Sequence, residues 1–188
     1  MCSSDLVAHP NAVAIYDFSR LEDGTLYIVM EFCEGLSLKQ MIKRDGRIPL
    51  KSALRIAMQA CEVLAAAHRQ NIVHRDVKPD NIMVLEAPNG RVSIKVLDFG
   101  IAKILDDEAA GGGLTQTGVT FGTPEYMSPE QAAGREIDAR SDVYALGLVL
   151  YAMLAGQPPF HGKNKLALLQ RHIREAPPRV DVAAGATL

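Results

Sequence analysis

Between residues 72 and 98 stand four side chains whose types and spacing could do chemistry on a phosphate. The stretch Ile72-Val73-His74-Arg75-Asp76-Val77-Lys78-Pro79-Asp80-Asn81-Ile82-Met83-Val84 carries a carboxylate at Asp76, an amine at Lys78 and a carboxamide at Asn81. Apolar, largely β-branched runs clamp the loop at both ends and can aim those three groups at one point. Asp98-Phe99-Gly100 adds a second carboxylate. A hairpin joining Asn81 to Asp98 would place their oxygens side by side near a lysine, which suits a hard cation carrying phosphate oxygens. The simpler alternative is a surface loop whose Asp, Lys and Asn face water.

Such side chains need elements to position them. Ile82–Leu85 and Val92–Leu97 read as the two strands of that hairpin, with Asn89-Gly90 able to supply the positive φ angles of a tight turn. Upstream, Val13–Phe18 and Leu26–Phe32 predict a second β pair around Asp23-Gly24. Gly35 breaks the strand, and Leu36–Arg44 predicts a short helix ending near Gly46. Lys51–Gln70 is the clearest helix, with Leu54, Ala57, Met58, Cys61, Leu64, Ala65 and His68 expected on its buried face and His68 packed there rather than acting as a ligand. Ser141–Ala155 is apolar all round, which predicts a helix enclosed by protein and ended by Pro158-Pro159. Leu166, Leu169 and Ile173 mark one more amphipathic helix, stopped by Pro177-Pro178. Ile101–Tyr126 has an acidic patch, Gly111-Gly112-Gly113, several threonines and no strong periodicity, so a functional or mobile segment is expected there.

Composition narrows the class. A chain of 188 residues suffices for one well-buried domain, and 48% hydrophobic with 22% charged residues is ordinary for a soluble globular protein. A net charge of −2 gives no electrostatic case for non-specific nucleic-acid or membrane binding. Cys2, Cys33 and Cys61 form no C-x-x-C or Cys/His cluster and read as reduced thiols. The longest apolar run, Val143–Ala155, is too short to span a bilayer, and no secretion signal opens the chain, so a cytoplasmic location is expected, with any anchor lying outside these residues.

From about His9 to Pro178 the chain resembles the bacterial Hanks-type serine/threonine protein kinases. The resemblance is carried by His74-Arg75-Asp76 with Lys78 and Asn81, Asp98-Phe99-Gly100, Gly122-Thr123-Pro124-Glu125-Tyr126-Met127-Ser128-Pro129-Glu130, Ser141-Asp142-Val143-Tyr144-Ala145-Leu146-Gly147 and Gly156-Gln157-Pro158-Pro159-Phe160, in the family's order and spacing. It implies an α+β, protein-kinase-like fold: residues 9–32 the last two strands of the small lobe and the hinge, residues 33–188 the helical large lobe, and 1–8 uninterpreted. It implies ATP and Mg²⁺ as cofactors and protein Ser/Thr hydroxyls as acceptors. In that frame Asp76 takes the acceptor's proton, Lys78 neutralises the transferring phosphoryl group, and Asn81 and Asp98 hold Mg²⁺. Met30 stands at the gatekeeper position, the Glu31 carbonyl and Cys33 amide meet adenine, and Met83 closes the adenine from below. Thr123 would contact Asp76 and Lys78 beside the docked peptide, and Asp142 would accept hydrogen bonds from the backbone at His74 and Arg75. A phosphothreonine could supply an anion for Arg75. Thr115 and Thr117 stand where related kinases are autophosphorylated, Thr120 being a weaker candidate, and self-association for trans-autophosphorylation follows.

The sequence also departs from the family. It contains no G-x-G-x-x-G-x-V loop, no V-A-I-K lysine and no helix glutamate to pair with it. The arginine that usually pairs with the position of Glu130 is missing too, and the family's last helices are not represented. The expectation is an incomplete kinase domain from a longer gene, with little transfer activity of its own. Two alternatives are a non-catalytic binding module of pseudokinase type and a small-molecule phosphotransferase sharing an H-x-D-x-x-x-x-N loop. The stretch Gly122–Glu130, suited to docking a peptide, speaks against the second.

Overall fold

The computed structural model describes residues 7–86, 92–99, 123–162 and 164–180. Two small antiparallel sheets precede or face a set of helices, an α+β arrangement. In the first sheet β1 (Ile15–Arg20) pairs with β2 (Leu26–Met30), Phe18 opposite Ile28 and Arg20 opposite Leu26. Gly24, at φ +87°, makes the turn, and the Asp23 carboxylate accepts the Thr25 amide at 2.8 Å. β1 begins two residues later than expected because the preceding segment is already used. Val13 donates to the Val96 carbonyl at 3.0 Å, and Val96 donates to the Asn11 carbonyl at 2.7 Å.

The second sheet has the order β3 (Leu36–Ser37), β4 (Ile82–Glu86), β5 (Val92–Val96). The expected helix from Leu36 is thus a short strand first. Ser37 then caps α1 (Leu38–Asp45), reciprocally with Gln40, and Gly46 at φ +72° closes it. Gly35 is required by this pairing, since a Cβ there would stand 2.3 Å from the Val84 carbonyl oxygen. The β4–β5 hairpin forms as expected; its Asn89-Gly90 turn lies outside the described residues.

The longest helix, α2 (Leu50–His68), buries Ala53, Ile56, Ala57, Ala60, Val63, Leu64, Ala66 and Ala67. This corrects the expected face, because Leu54 and Met58 are exposed and so are Cys61 and Ala65. Two apolar stripes compete on this helix. The one rich in alanine wins, because small side chains let its backbone come close to β5 and to α4 (Ala139–Ala155), against which it packs. α4 is mostly enclosed as expected, with Met153 and Val149 fully buried, but Val143 is 64% exposed. Asp138 caps its start, and Gly156 in the left-handed region (φ +82°) ends it before Pro158-Pro159 is reached. Between these helices lies the short α3 (Pro129–Ala132), and α5 (Lys165–Arg174) follows. α5 buries Leu168 and His172 and leaves Leu166 and Ile173 exposed, a rotation from the expected stripe. Among the described residues no helix is long and apolar enough to cross a membrane.

Candidate active site

The loop at 74–81 is held from three sides. Arg75 sits at φ +68°, a region that costs a side-chain-bearing residue on the order of 1–2 kcal/mol. The flanking peptides are therefore tied down. Asp142, 1% exposed in the first turn of α4, accepts the His74 amide on Oδ2 and the Arg75 amide on Oδ1, both at 2.9 Å. Gln131 of α3 donates from Nε2 to the Arg75 carbonyl at 2.6 Å. His68 is not merely packed: its Nε2 donates to Asp142 Oδ2 at 2.7 Å, joining the end of α2 to the same carboxylate.

His74 is buried and works through both ring nitrogens. Nδ1 faces the Asp76 amide at 3.3 Å and so accepts; Nε2, 2.9 Å from the Leu97 carbonyl, must then carry the proton and donate. Its ring lies 4.7 Å from that of Phe99, tilted by 59°. One side chain thereby sets the approach of the Asp76 loop to the strand end that carries Asp98.

On that support the polar groups converge. Lys78 Nζ donates to Asp76 Oδ2 at 2.5 Å, and Asn81 Nδ2 donates to the same oxygen at 3.2 Å and to the Asp76 carbonyl at 2.9 Å. Asn81 closes the 3-10 turn Pro79–Asn81, and its carbonyl accepts the Leu97 amide at 2.9 Å. With Ile82 opposite Val96 and Asn81 bonded to Leu97, the hairpin sets Asn81 against the residue that precedes Asp98, Asp98 itself turning at φ +62°. No cluster of three or more His, Cys, Asp or Glu side chains is found among the described residues. Asn81 Nδ2 is committed to Asp76, so what Asn81 has left to offer a hard cation is its amide oxygen.

The remaining expected site residues fall at the rim. Met30 ends β2 and Met83 lies opposite Lys95 in the β4–β5 register, both partly buried. Cys33 points its thiol at the Glu31 carbonyl at 3.9 Å; burial and the Glu31 charge push that thiol up, with Lys95 opposing, so it is protonated at neutral pH. Thr123 shares a narrow recess with Asp76, Arg75, Val77 and Tyr126, but Lys78 does not line it. Burial first, then the charges of Asp80 and Glu125, hold the Tyr126 phenol well above the usual tyrosine range. Glu130, for which the sequence offers no arginine partner, finds another: the Ser141 hydroxyl donates to its Oε1. Burial raises this carboxyl, yet the bonds from Ser141, its own amide and Ser128 together bring it below the usual glutamate value. Thr115, Thr117, Thr120 and Gly100 lie outside the described residues. A larger hollow, about 310 Å³, lies past the hinge against Glu34, Gly35, Leu36 and Val84 and contains none of the expected catalytic residues.

Gln131, His68 and Lys95 carry site geometry that the sequence reading did not assign. For Gln131 a signal existed, since Ser128-Pro129-Glu130-Gln131 is a capping-box pattern. Its Oε1 accepts the Ser128 amide at 2.9 Å while Nε2 reaches Arg75, so one amide both starts α3 and holds the loop.

The chain belongs to the protein kinase family: the protein kinase domain profile matches residues 3–184. It is 44% identical over 170 residues to the serine/threonine-protein kinase pkn3 of Myxococcus xanthus, covering 90% of this chain and 31% of that protein. It is 46% identical over 172 residues to the serine/threonine-protein kinase PknB of Mycolicibacterium smegmatis, covering 90% of this chain and 27% of that one. A probable serine/threonine-protein kinase, CE0033 of Corynebacterium efficiens, is 43% identical over 174 residues. The chain thus spans about a third or less of the length of these relatives.

Proposed function

We propose that this chain supplies the catalytic loop, metal-binding residues and hinge of a serine/threonine protein kinase, which moves the γ-phosphoryl group of ATP to a protein hydroxyl. The observation that carries the reading is the convergence of Lys78 and Asn81 on Asp76, with the Asn81 carbonyl bonded to the residue before Asp98. Residues 9–32 then act as the end of the small lobe and the hinge, and residues 33–188 as the large lobe.

In this role Asp76 accepts the hydrogen bond of the acceptor hydroxyl and takes its proton, a contribution of typically ~10²–10⁴-fold. Lys78, already paired with Asp76, would also lend its charge to the transferring phosphoryl group. Asn81 and Asp98 would hold Mg²⁺, which when bound neutralises and orients the phosphates. Met30, the Glu31 carbonyl, the Cys33 amide and Met83 receive adenine, and Thr123 borders the acceptor peptide. Phosphorylation at Thr115 or Thr117 would provide Arg75 with an additional charge-assisted partner. Such phosphorylation in trans requires self-association.

The test is titration of the chain with ATP, with and without Mg²⁺. Affinity that rises with Mg²⁺ in the wild type and loses that rise in Asp98→Asn supports the reading. Binding indifferent to Mg²⁺, or no binding at all, overturns it. Any label transferred from the γ-phosphate to protein Ser or Thr must disappear in Asp76→Asn.

A further inference from the structure

Lys95 stands on β5, three residues before Asp98, with its side chain 18% exposed. Its ammonium donates to Glu31 Oε2 at 2.7 Å and to the Ala12 carbonyl at 3.2 Å. The same Glu31 oxygen accepts the Ala14 amide at 3.2 Å, and the Glu31 amide returns to the Ala14 carbonyl at 2.8 Å. Val13 closes the ring on β5 through its bond to the Val96 carbonyl. The hinge, the segment at 11–14 and β5 are therefore tied at one point, although β2, which leads into the hinge, and β5 belong to different sheets. The pair is partly shielded, with Glu31 29% exposed, and the hydrogen bond from Lys95 is the main cause that holds the Glu31 carboxyl below its ordinary range.

We infer that Lys95 is a positioning residue for nucleotide: through Glu31 it sets the distance between the hinge backbone, where adenine docks, and Asp98, where the metal-bound phosphates dock. This rests on the nucleotide reading above. Adenosine touches the hinge end alone, whereas ATP with Mg²⁺ must satisfy both ends at once. A hinge released from β5 still meets adenine, but its spacing to Asp98 is no longer held, and misplacements near 1 Å are costly in such sites. Lys95→Met should therefore weaken ATP·Mg²⁺ about tenfold and adenosine less than about twofold. Lys95→Arg, which keeps a donor of sufficient reach, should restore most of the loss.

The experiment is calorimetric titration of the chain and its Lys95→Met, Lys95→Arg and Glu31→Gln variants with adenosine and with ATP·Mg²⁺, alongside thermal melts. Selective loss of ATP·Mg²⁺ affinity in Lys95→Met, recovered in Lys95→Arg, supports the inference. Equal losses for both ligands, or no loss, overturn it while leaving the nucleotide reading intact. If the wild type binds neither ligand, the nucleotide reading fails and this inference with it. Should Lys95→Met not fold, Glu31→Gln, which removes the charge on the other partner, carries the same comparison.

Discussion

Asp142 lies 68 residues from His74 in the chain and accepts its backbone amide at 2.9 Å from within α4. The same carboxylate takes the Arg75 amide and the His68 ring N–H, so the central helix, the end of α2 and the loop bearing Asp76 share one buried acceptor. An acid in the first turn of a helix is ordinarily a modest favourable interaction with the helix dipole. Here it is the fixed point from which the loop hangs.

Replacing it should therefore damage the loop before it damages the helix. Asp142→Ala leaves three donors without their acceptor and should cost at least about 2 kcal/mol. Asp142→Asn is expected to be no easy substitute, because whichever way the amide is turned its NH₂ faces a backbone N–H. Urea unfolding, with amide exchange at His74 and Arg75, checks both. Protection at those two amides equal to wild type would refute the assignment.

The two stripes of α2 make a paired prediction. Ile56→Ala, at a fully buried position, should cost about 2–5 kcal/mol. Met58→Ala, at a position 63% exposed, should stay within about 0.5 kcal/mol. Chemical denaturation of the two variants side by side decides which face of the helix is the core face.

Gly35→Ala places a methyl group against the Val84 carbonyl, a backbone atom that cannot swing away. The strand β3 must then separate from β4, at a cost of about 1–3 kcal/mol. A lowered urea midpoint with faster exchange at the β3–β4 pairing is expected, and an unchanged midpoint would count against the close approach.

Acid should destabilise the fold in two stages. His172 is buried, with Nδ1 3.0 Å from the Tyr144 hydroxyl and with Phe160, Arg171, Glu125 and the Pro124 carbonyl around it. Burial, reinforced by Arg171 and opposed by Pro124 and Glu125, lowers its value from the ordinary 6.5. The unfolded chain thus binds this proton before the folded one does. Stability is fully present above pH 6.5 and falls below it, by up to about 1.4 kcal/mol per pH unit within the window. Glu31 and Glu130, both held below the ordinary 4.5, add a second loss as the pH falls through and below 4.5. Melting between pH 8 and pH 3.5 should show both limbs, with the first absent from His172→Gln.

Much of this was legible from residue types alone. Asp76, Lys78, Asn81 and Asp98 could be read as a converging set because the chemistry lies in their identities and because a strand–turn–strand pattern returns the chain to where it started. The order of the longer helices and of the two hairpins followed from periodicity and turn residues, and the family from motifs written in consecutive residues; β3 and the short α3 did not. The faces of α2 and α5 were not legible. Leu54, Met58, Leu166 and Ile173 satisfy helical spacing as well as the residues that are actually buried, and only the close approach of neighbouring helices selects between the stripes. Glu130 and Lys95 show a second limit. Their partners, Ser141 and Glu31, lie 11 and 64 residues away, where sequence spacing carries no information about distance.

The sequence by itself determined which groups could perform phosphoryl chemistry and in what order the elements carry them. Only the tertiary structure decided what holds those groups still. Bonds such as those from Asp142 and Gln131 to the backbone on either side of Arg75 exist because α3 and α4 pack beside the loop. A positive-φ arginine persists where packing supplies enough partners to offset its strain, and packing is a property of the folded chain rather than of any stretch within it.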